Sequence, residues 1–526
     1  MEEIMIPAFR WLSFAAAAVL CAFAPLSASA AAADSRPELV VAVAEIPEGL
    51  EPSKELSNMG TRITYNIFDT LIRRDFLADG SGTAARLVPG LAESWKRIDN
   101  NGIELHLRKG VKFHNGDELT ADDVVFTFER MLKPDYPAPE GKAYFSIFDR
   151  LEAVDPYTVR IYTKYYDTLL EHRLSSWASW IVNKRAYEKL GFDGFGRAPV
   201  GTGPYKLKSL RSGESIVLDA NDEYYGGKPT ARRVTFRMVP EVAARISGLV
   251  SGEFDIIANL PPDQTSTLAA YPDIDVRSVV LSNTHMLVFN TSAGPLKDKR
   301  IRQALSFAVD RKALNDALWG GKAVIPNGHQ FPEFGDMYDP SRPGQTYDPE
   351  KARTLVKEAG YHGEPIVMYT QANYYVNALS AAQIMQEMWK AVGLNVRLQV
   401  IENWKAVKND DVMIRNWSNS NRYPDPLGSL AVLWGANGAP QASWKTWAGP
   451  AAEAFNKLIA ELERTSDTAA RKVIFGKMLD LWEDETPGMT LYQPLESYGV
   501  KKSVHWQPYS FYYMDLRPYN MSFSDK

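Results

Sequence analysis

Gly110-Val-Lys-Phe-His-Asn-Gly-Asp-Glu-Leu-Thr-Ala-Asp-Asp-Val-Val-Phe-Thr-Phe-Glu129 is the stretch with the most readable local chemistry in the chain. Asn115-Gly116 favours a tight turn with positive φ. Thr120, followed three residues later by Asp123, reads as a variant capping box that opens a helix with Val124, Phe128 and Met131 on its apolar face. On physics alone the segment is a strand, a turn and a helix.

The same alternation of element types extends outward. Val234, Phe236 and Met238 repeat every second residue, as do Leu394, Val396, Leu398 and Val400, the period of a strand. Asp348-Pro349 caps and starts a helix that carries Ala352, Leu355, Val356 and Ala359 on one face and stops at Gly360. A second helix places Ala381, Ile384, Met388 and Ala391 inward and ends at Gly393, directly before the 394–401 strand. Short strands trading places with helices of ordinary length predict mixed α/β layers. Pro and Gly concentrate near 134–141, 201–204, 226–229, 326–349 and 435–450, which read as surface connections. There is no internal repeat and no low-complexity tract.

The first thirty residues read as a targeting segment. An apolar run from Trp11 to Ala24 follows Arg10, is too short to span a bilayer, and leads to Ala28-Ser-Ala30, a small-x-small cleavage pattern. Signal peptide 1–30 with a mature start near Ala31 is the expectation. The one cysteine, Cys21, lies inside this segment behind Leu20, where a lipoprotein signal needs a small residue, so a released periplasmic protein is expected. Neither disulfides nor thiol chemistry can then hold or run the mature chain. A chain of 526 residues exceeds what one core supports, which argues for at least two domains. A net charge of −5 with no basic cluster argues against nucleic acid as a partner.

Several further motifs follow in order: Leu91-Ala-Glu-Ser-Trp95, Val200-Gly-Thr-Gly-Pro-Tyr205, the Tyr-Tyr-Gly-Gly-Lys-Pro core at 224–229, Arg300-Ile-Arg-Gln-Ala-Leu305 with Asp310-Arg311, and Tyr423-Pro-Asp-Pro426. With the 110–129 segment they resemble, in sequence and order, the family 5 extracellular solute-binding proteins, the peptide- and nickel-binding class that delivers ligands to ABC importers. The match runs from about residue 38 to 520. The resemblance implies an α/β, two-lobed clamp with an extra subdomain in the first lobe. Its parts would be lobe I at 38–288 and 495–520, the subdomain at about 75–197, and lobe II at 289–494, with crossings near 283–290 and 489–497. It also implies a small-molecule ligand between the lobes and an ABC permease in the inner membrane as partner, with the chain working as a monomer.

Where the ligand is held, the sequence departs from its relatives. Peptide-binding members place an aspartate shortly before the Tyr-Pro-Asp-Pro-like turn, where it pairs with the peptide's amino group; here the residue beside Tyr423 is Arg422. A guanidinium there repels an ammonium and grips a carboxylate or phosphate. The arginine that dipeptide-binding relatives carry for the peptide carboxylate is missing from 369–377. The expected ligand is therefore a peptide, an opine or another amino-acid conjugate with an exposed anionic group. Arg422, Trp417, Asn419 and Asn421, with Asn373, Tyr374 and Tyr375, are expected to line the cleft, and Trp404 and Trp434 to stack on the ligand. Tyr65 and Asn66 are candidates from the first lobe. The alternative puts the aromatic residues in a lobe core and Arg422 in a solvated turn or an interlobe salt bridge.

Catalytic motifs are missing: there is no His-Glu-x-x-His, no Gly-x-Ser-x-Gly and no phosphate-binding glycine loop. No enzyme, cofactor or metal is expected, the seven histidines being scattered without ligand spacing. The rival readings are a secreted glycosidase with a tryptophan-lined cleft and a non-transport periplasmic sensor or chaperone on the same fold.

Overall fold

The computed structural model describes residues 34–524, apart from 85, 100, 139–140, 142–143, 373, 403, 405–406 and 409–410. The signal segment, Cys21 and Asn373 lie outside the described residues.

A seven-stranded sheet runs in the order Ile274–Val280, Leu495–Lys501, Ile256–Ile257, Glu38–Val43, Arg233–Met238, Ser215–Ala220, Tyr205–Arg211. Glu38–Val43 lies parallel to Arg233–Met238, with Leu39 opposite Val234 and Val41 opposite Phe236. Alternate residues serve opposite cores: Val41 and Val43 pack into the large core with Phe236, while Ala42 joins Leu249, Phe254 and Ile257 on the other face. This two-sided burial explains why the central strands read as apolar runs. A four-stranded antiparallel sheet, Ala92–Ile98, Gly102–Leu107, Thr158–Thr163 and Phe148–Asp155, shares the large core and is covered by the helix Ala121–Leu132.

A five-stranded sheet runs Val396–Ile401, Ile366–Gln371, Ile414–Ser420, Asn283–Phe289, Gly488–Tyr492. Its strand Asn283–Phe289 is buried throughout. Leu287 and Phe289 point to one core with Met368, Ile414 and Trp389, and Met286 and Val288 to another with Trp434, Phe475 and Trp482. The chain passes from the seven-stranded to the five-stranded sheet at 281–282 and returns at 493–494. The two passages are tied together: Leu281 N donates to Pro494 O at 2.9 Å. The boundary expected at 288 falls inside the strand Asn283–Phe289.

The signature segment forms as its chemistry dictates. Gly116 has φ 90°. The Asp123 carboxylate accepts from Thr120 N at 3.1 Å and from its hydroxyl at 3.2 Å, and the helix buries Val124, Phe128 and Met131. Asp348 likewise caps Pro349–Glu358 by accepting from Lys351 N.

Three expectations are corrected. The helix Ala378–Ala391 buries Ala381 as expected, but its inward face is centred on Ala382, Met385 and Trp389; Ile384 and Met388 are half-buried and Ala391 is exposed. The physical reason is Trp389, whose indole donates to Leu305 O at 2.9 Å and whose bulk fixes the helix rotation. Val400 is 48% exposed, since its strand lies at the sheet edge. The segment 201–204 is buried rather than a surface connection. A Cβ at Gly201 would stand 2.1 Å from Ile67 O, and one at Gly203 2.5 Å from Asn66 O. Only glycine lets these backbones meet, which they do through Gly203 N to Ile67 O at 2.9 Å and Tyr205 N to Asn66 O at 3.0 Å.

The C-terminal segment is locked into the large core by one buried cation. Arg517, 1% exposed, donates to Asp69 at 2.7 Å, Asp515 at 3.1 Å and the Tyr224 hydroxyl at 2.8 Å. Burial pushes the Asp515 carboxyl up, and Arg517, Arg73 and the Tyr519 hydroxyl outweigh it, leaving the group below its ordinary range. Removing the cation leaves two buried carboxylates without the guanidinium they share, so Arg517→Ala is expected to cost about 3–5 kcal/mol in urea unfolding. A loss below about 1 kcal/mol would show that the network is not what holds this segment.

Candidate functional site

Where the chain changes sheets the two cores cannot close on each other, and a cavity of about 310 Å³ opens over Leu281 and Pro494. That volume sits at the small end of ligand sites. Glu45, Asn58, Arg62, Arg245, Asn259, Glu496 and Tyr512 line it from the side of the seven-stranded sheet, and His285, Trp319, Tyr374 and Tyr375 from the side of the five-stranded sheet.

The aromatic wall follows from chain direction. His285 is the third residue of the strand that begins just after the first passage. Tyr374 and Tyr375 sit on the loop leaving Ile366–Gln371, a loop turned by Asn377 at φ 66° and tied by its side-chain amide to Leu318 O at 2.9 Å. Tyr375 stacks on the His285 ring at 3.7 Å. Burial pushes His285 down to about 3, so it is a neutral ring at any ordinary pH.

The opposite wall is polar and largely self-satisfied. Glu496 accepts from Arg62 Nη2 at 3.2 Å and from Asn259 N and Nδ2 at 3.1 and 3.0 Å. Burial raises its carboxyl and Arg62 opposes that rise. Arg245 is spent on the carbonyls of Val239, Pro240 and Asn259. Glu45 differs: its carboxyl, raised by burial, faces the cavity without a hydrogen bond or ion pair among the described residues. Asn58 reaches across to the other sheet, donating to Ser418 Oγ at 3.4 Å and accepting from Ser420 Oγ at 3.3 Å. Asn283 holds both serines, at 3.0 and 2.9 Å.

A second meeting of the two halves lies beyond the strand Ile414–Ser420. Arg422 N donates to Gly428 O at 3.0 Å, which shapes the Tyr423-Pro-Asp-Pro426 turn. The Arg422 guanidinium lies 4.6 Å above the Tyr144 ring and 5.8 Å from Trp177, and has no carboxylate partner among the described residues. Beside it, Asn421 Nδ2 and Gln493 Nε2 donate to Glu333 at 2.9 and 3.2 Å. Arg173, paired with Asp167 at 2.8 Å, also donates to the Tyr423 hydroxyl at 3.4 Å.

Of the residues expected at the site, Tyr374 and Tyr375 line the cavity, and Arg422 and Asn421 lie at the second meeting. Asn419 is buried and donates to Ser429 Oγ at 3.0 Å. Trp417 and Trp404 pack around Arg415, with centroids 4.9 and 3.8 Å from its guanidinium. Three placements differ from the expectation. Trp434, 1% exposed, is a core residue wedged among Trp447, Trp482 and Gly488, where a ligand cannot reach it. Tyr65 stacks on Tyr513 at 4.2 Å beneath the Arg517 guanidinium. Asn66 is fully buried, donating to Met514 O and accepting from Leu516 N. Glu45, Asn58, Arg62, Trp319 and Tyr512 were not legible as site residues, since they come from separate segments that meet only in the fold; His285 could have been flagged by its nearness to the expected crossing. No group of three metal-binding side chains occurs among the described residues. No described helix is long and apolar enough to cross a membrane.

Residues 86–441 match the model of the bacterial extracellular solute-binding proteins, family 5. A di/tripeptide-binding protein of Pseudomonas aeruginosa is 28% identical over 83% of this chain and 86% of its own length. Two solved structures share the fold: a periplasmic binding protein of Helicobacter pylori in complex with the peptide STSA (TM-score 0.82, 24% identity, 93% of this chain and 99% of that one), and one of Agrobacterium tumefaciens R10 in complex with agropinic acid (TM-score 0.81, 23% identity, 93% and 99%). The likeness establishes a two-lobed binding-protein fold of mixed α/β content.

His285 gives the cavity wall a pH signature. Its folded pKa, about 3, lies below the ordinary value of 6.5, so the unfolded chain binds the proton more readily. The associated stability is present above about pH 6.5 and is lost as pH falls toward 3. Between pH 7 and 5 His285 is expected to remove about 2 kcal/mol from urea stability. His285→Gln should flatten that slope, and an unchanged slope would show the ring to be protonated in the fold.

Proposed function

The chain belongs to the bacterial extracellular solute-binding proteins, family 5, and on that premise we propose that it captures a peptide-like or amino-acid-derived anion between two lobes and delivers it to an ABC permease of the inner membrane. The lobes are the body of the seven-stranded sheet, with its four-stranded subdomain, and the body of the five-stranded sheet. They hinge at 281–282 and 493–494. The chain works in the periplasm as a monomer after loss of residues 1–30.

The observation that carries the ligand chemistry is the Arg422 guanidinium, held over Tyr144 and Trp177 without a carboxylate partner among the described residues. It stands beside the turn where peptide-binding members carry an acid, so a ligand's carboxylate or phosphate satisfies it and an ammonium does not. The relatives named above bind di- and tripeptides, the peptide STSA and agropinic acid; those with an exposed acidic group fit this site. Ligand contacts from both halves exist only when the lobes are together, so binding shifts the population toward closure.

Thermal-shift screening of acidic peptides and opines is expected to find the ligand, since one present at 100 times its dissociation constant adds about 2.7 kcal/mol of native stability. For any hit, Arg422→Ala should weaken binding by about 2 kcal/mol or more, roughly thirtyfold, in calorimetry. Unchanged affinity removes Arg422 from the site. Small-angle scattering should show a smaller radius of gyration on addition of the same hit; a constant radius would argue against closure.

A further inference from the structure

Ten of the described arginines are buried, and eight of them donate to carboxylates or carbonyls: Arg62, Arg130, Arg173, Arg245, Arg302, Arg311, Arg471 and Arg517. The guanidinia of Arg74 and Arg415 make no hydrogen bond among the described residues. Arg74 has Glu333 near enough to act on it. Arg415, 5% exposed, has no carboxylate acting on it among the described residues; only the Tyr374 hydroxyl does.

Arg415 stands on the strand Ile414–Ser420, between Trp404 at 3.8 Å and Trp444 at 3.7 Å, with Trp417 at 4.9 Å. Stacking on two indoles offsets part of the cost of burying the charge. It acts on the faces of the guanidinium, however, and leaves the N–H groups in its plane without acceptors among the described residues. A buried cation with unmet donors is expensive, and Arg415 Nε is among the unmet donors. Beside Arg415 the chain leaves a small cavity of about 10 Å³, walled by Val288, Asn290, Val412, Met413, Trp444 and Thr446. Thr446 Oγ accepts from Gln441 Nε2 at 3.0 Å, so its hydroxyl proton is free to donate, and Asn290 Nδ2 adds a further donor beyond its bond to Val412 O. The polar side chains that face this space are therefore donors, and it has room for the centre of one small particle only.

We propose that the cavity beside Arg415 is a binding site for one small monoatomic anion, chloride in ordinary media. A carboxylate or phosphate is too large for it, and a metal cation would meet a guanidinium. The anion completes the charge of Arg415, fixes the indoles of Trp404 and Trp444, and so stiffens the layer directly behind Tyr374, the cavity-wall residue whose hydroxyl acts on Arg415. The site is distinct from the ligand cleft and does not depend on how that cleft is used.

The test uses the full chain in sodium chloride and in sodium gluconate at equal ionic strength. A melting temperature higher in chloride by about 1 °C or more supports the site, because an ion that binds only the folded chain stabilises it; equal melting temperatures overturn it. Arg415→Met, which keeps the volume and removes the charge, should abolish the difference between the two salts. A chloride effect that survives in this variant places the ion elsewhere and overturns the assignment. Should the variant not fold, crystals of the natural chain soaked in bromide decide: an anomalous peak in contact with the Arg415 guanidinium supports the site, and an ordered water or an apolar void there overturns it.

Discussion

The structure depends on a topological constraint. The sequence of the five-stranded body is inserted within that of the seven-stranded body, so the chain must leave and return, and it does so through two neighbouring segments. Ile274–Val280 pairs with Leu495–Lys501 in one sheet, and Asn283–Phe289 pairs with Gly488–Tyr492 in the other. The same two segments are thus partners on both sides of the passage, joined between by Leu281 N to Pro494 O. Hydrogen bonding in each sheet fixes its own half, and only 281–282 and 493–494 lie between the ladders, bonded to each other and to Ser510, Asn421 and Val324. The cavity lies over those residues because that is where neither core can close.

Buried charge is managed differently in the scaffold and in the cleft. Arg517 with Asp69 and Asp515, Arg130 with Glu51, and Arg471 with Asp425 are ion pairs inside the cores. Such pairs add little net stability over apolar packing, but breaking one is costly. At the cavity, Arg62 and Glu496 neutralise each other, while Glu45 there and Arg422 at the second meeting have no ion-pair partner among the described residues. Groups left unpaired by the chain are the ones a bound molecule can pair, and this contrast, more than any motif, sets cleft apart from core.

Local chemistry was legible where it acts over a few residues. The caps at Asp123 and Asp348, the turn at Gly116 and the helix ends at Gly360 and Gly393 required only neighbours in sequence. Periodicity failed where one large side chain decided the outcome: Trp389 set the rotation of Ala378–Ala391 against a plausible stripe of Ile384 and Met388. Composition failed for Gly201-Thr-Gly203, whose glycines mark a close backbone contact with Asn66 and Ile67 rather than a surface turn, a distinction that needs the partner segment. At the site, Tyr374, Tyr375 and Arg422 could be proposed from resemblance to a family, but Trp434 could not be told from a cleft tryptophan until its neighbours Trp447 and Trp482 were in place.

The amino-acid sequence by itself determined the mixed α/β elements, their caps, the lack of cysteine after Cys21, and an arginine, Arg422, directly before the Tyr423-Pro-Asp-Pro426 turn. Those features follow from interactions between residues close along the chain, or from residue identity alone. Which charges are paired, which aromatic rings face solvent and which face a core, and that Glu45, Asn58, His285 and Tyr512 meet at one cavity were decided only by the tertiary structure. The reason is distance: those groups are separated by tens to hundreds of residues, and only the packing of two bodies around a shared double passage brings them within reach.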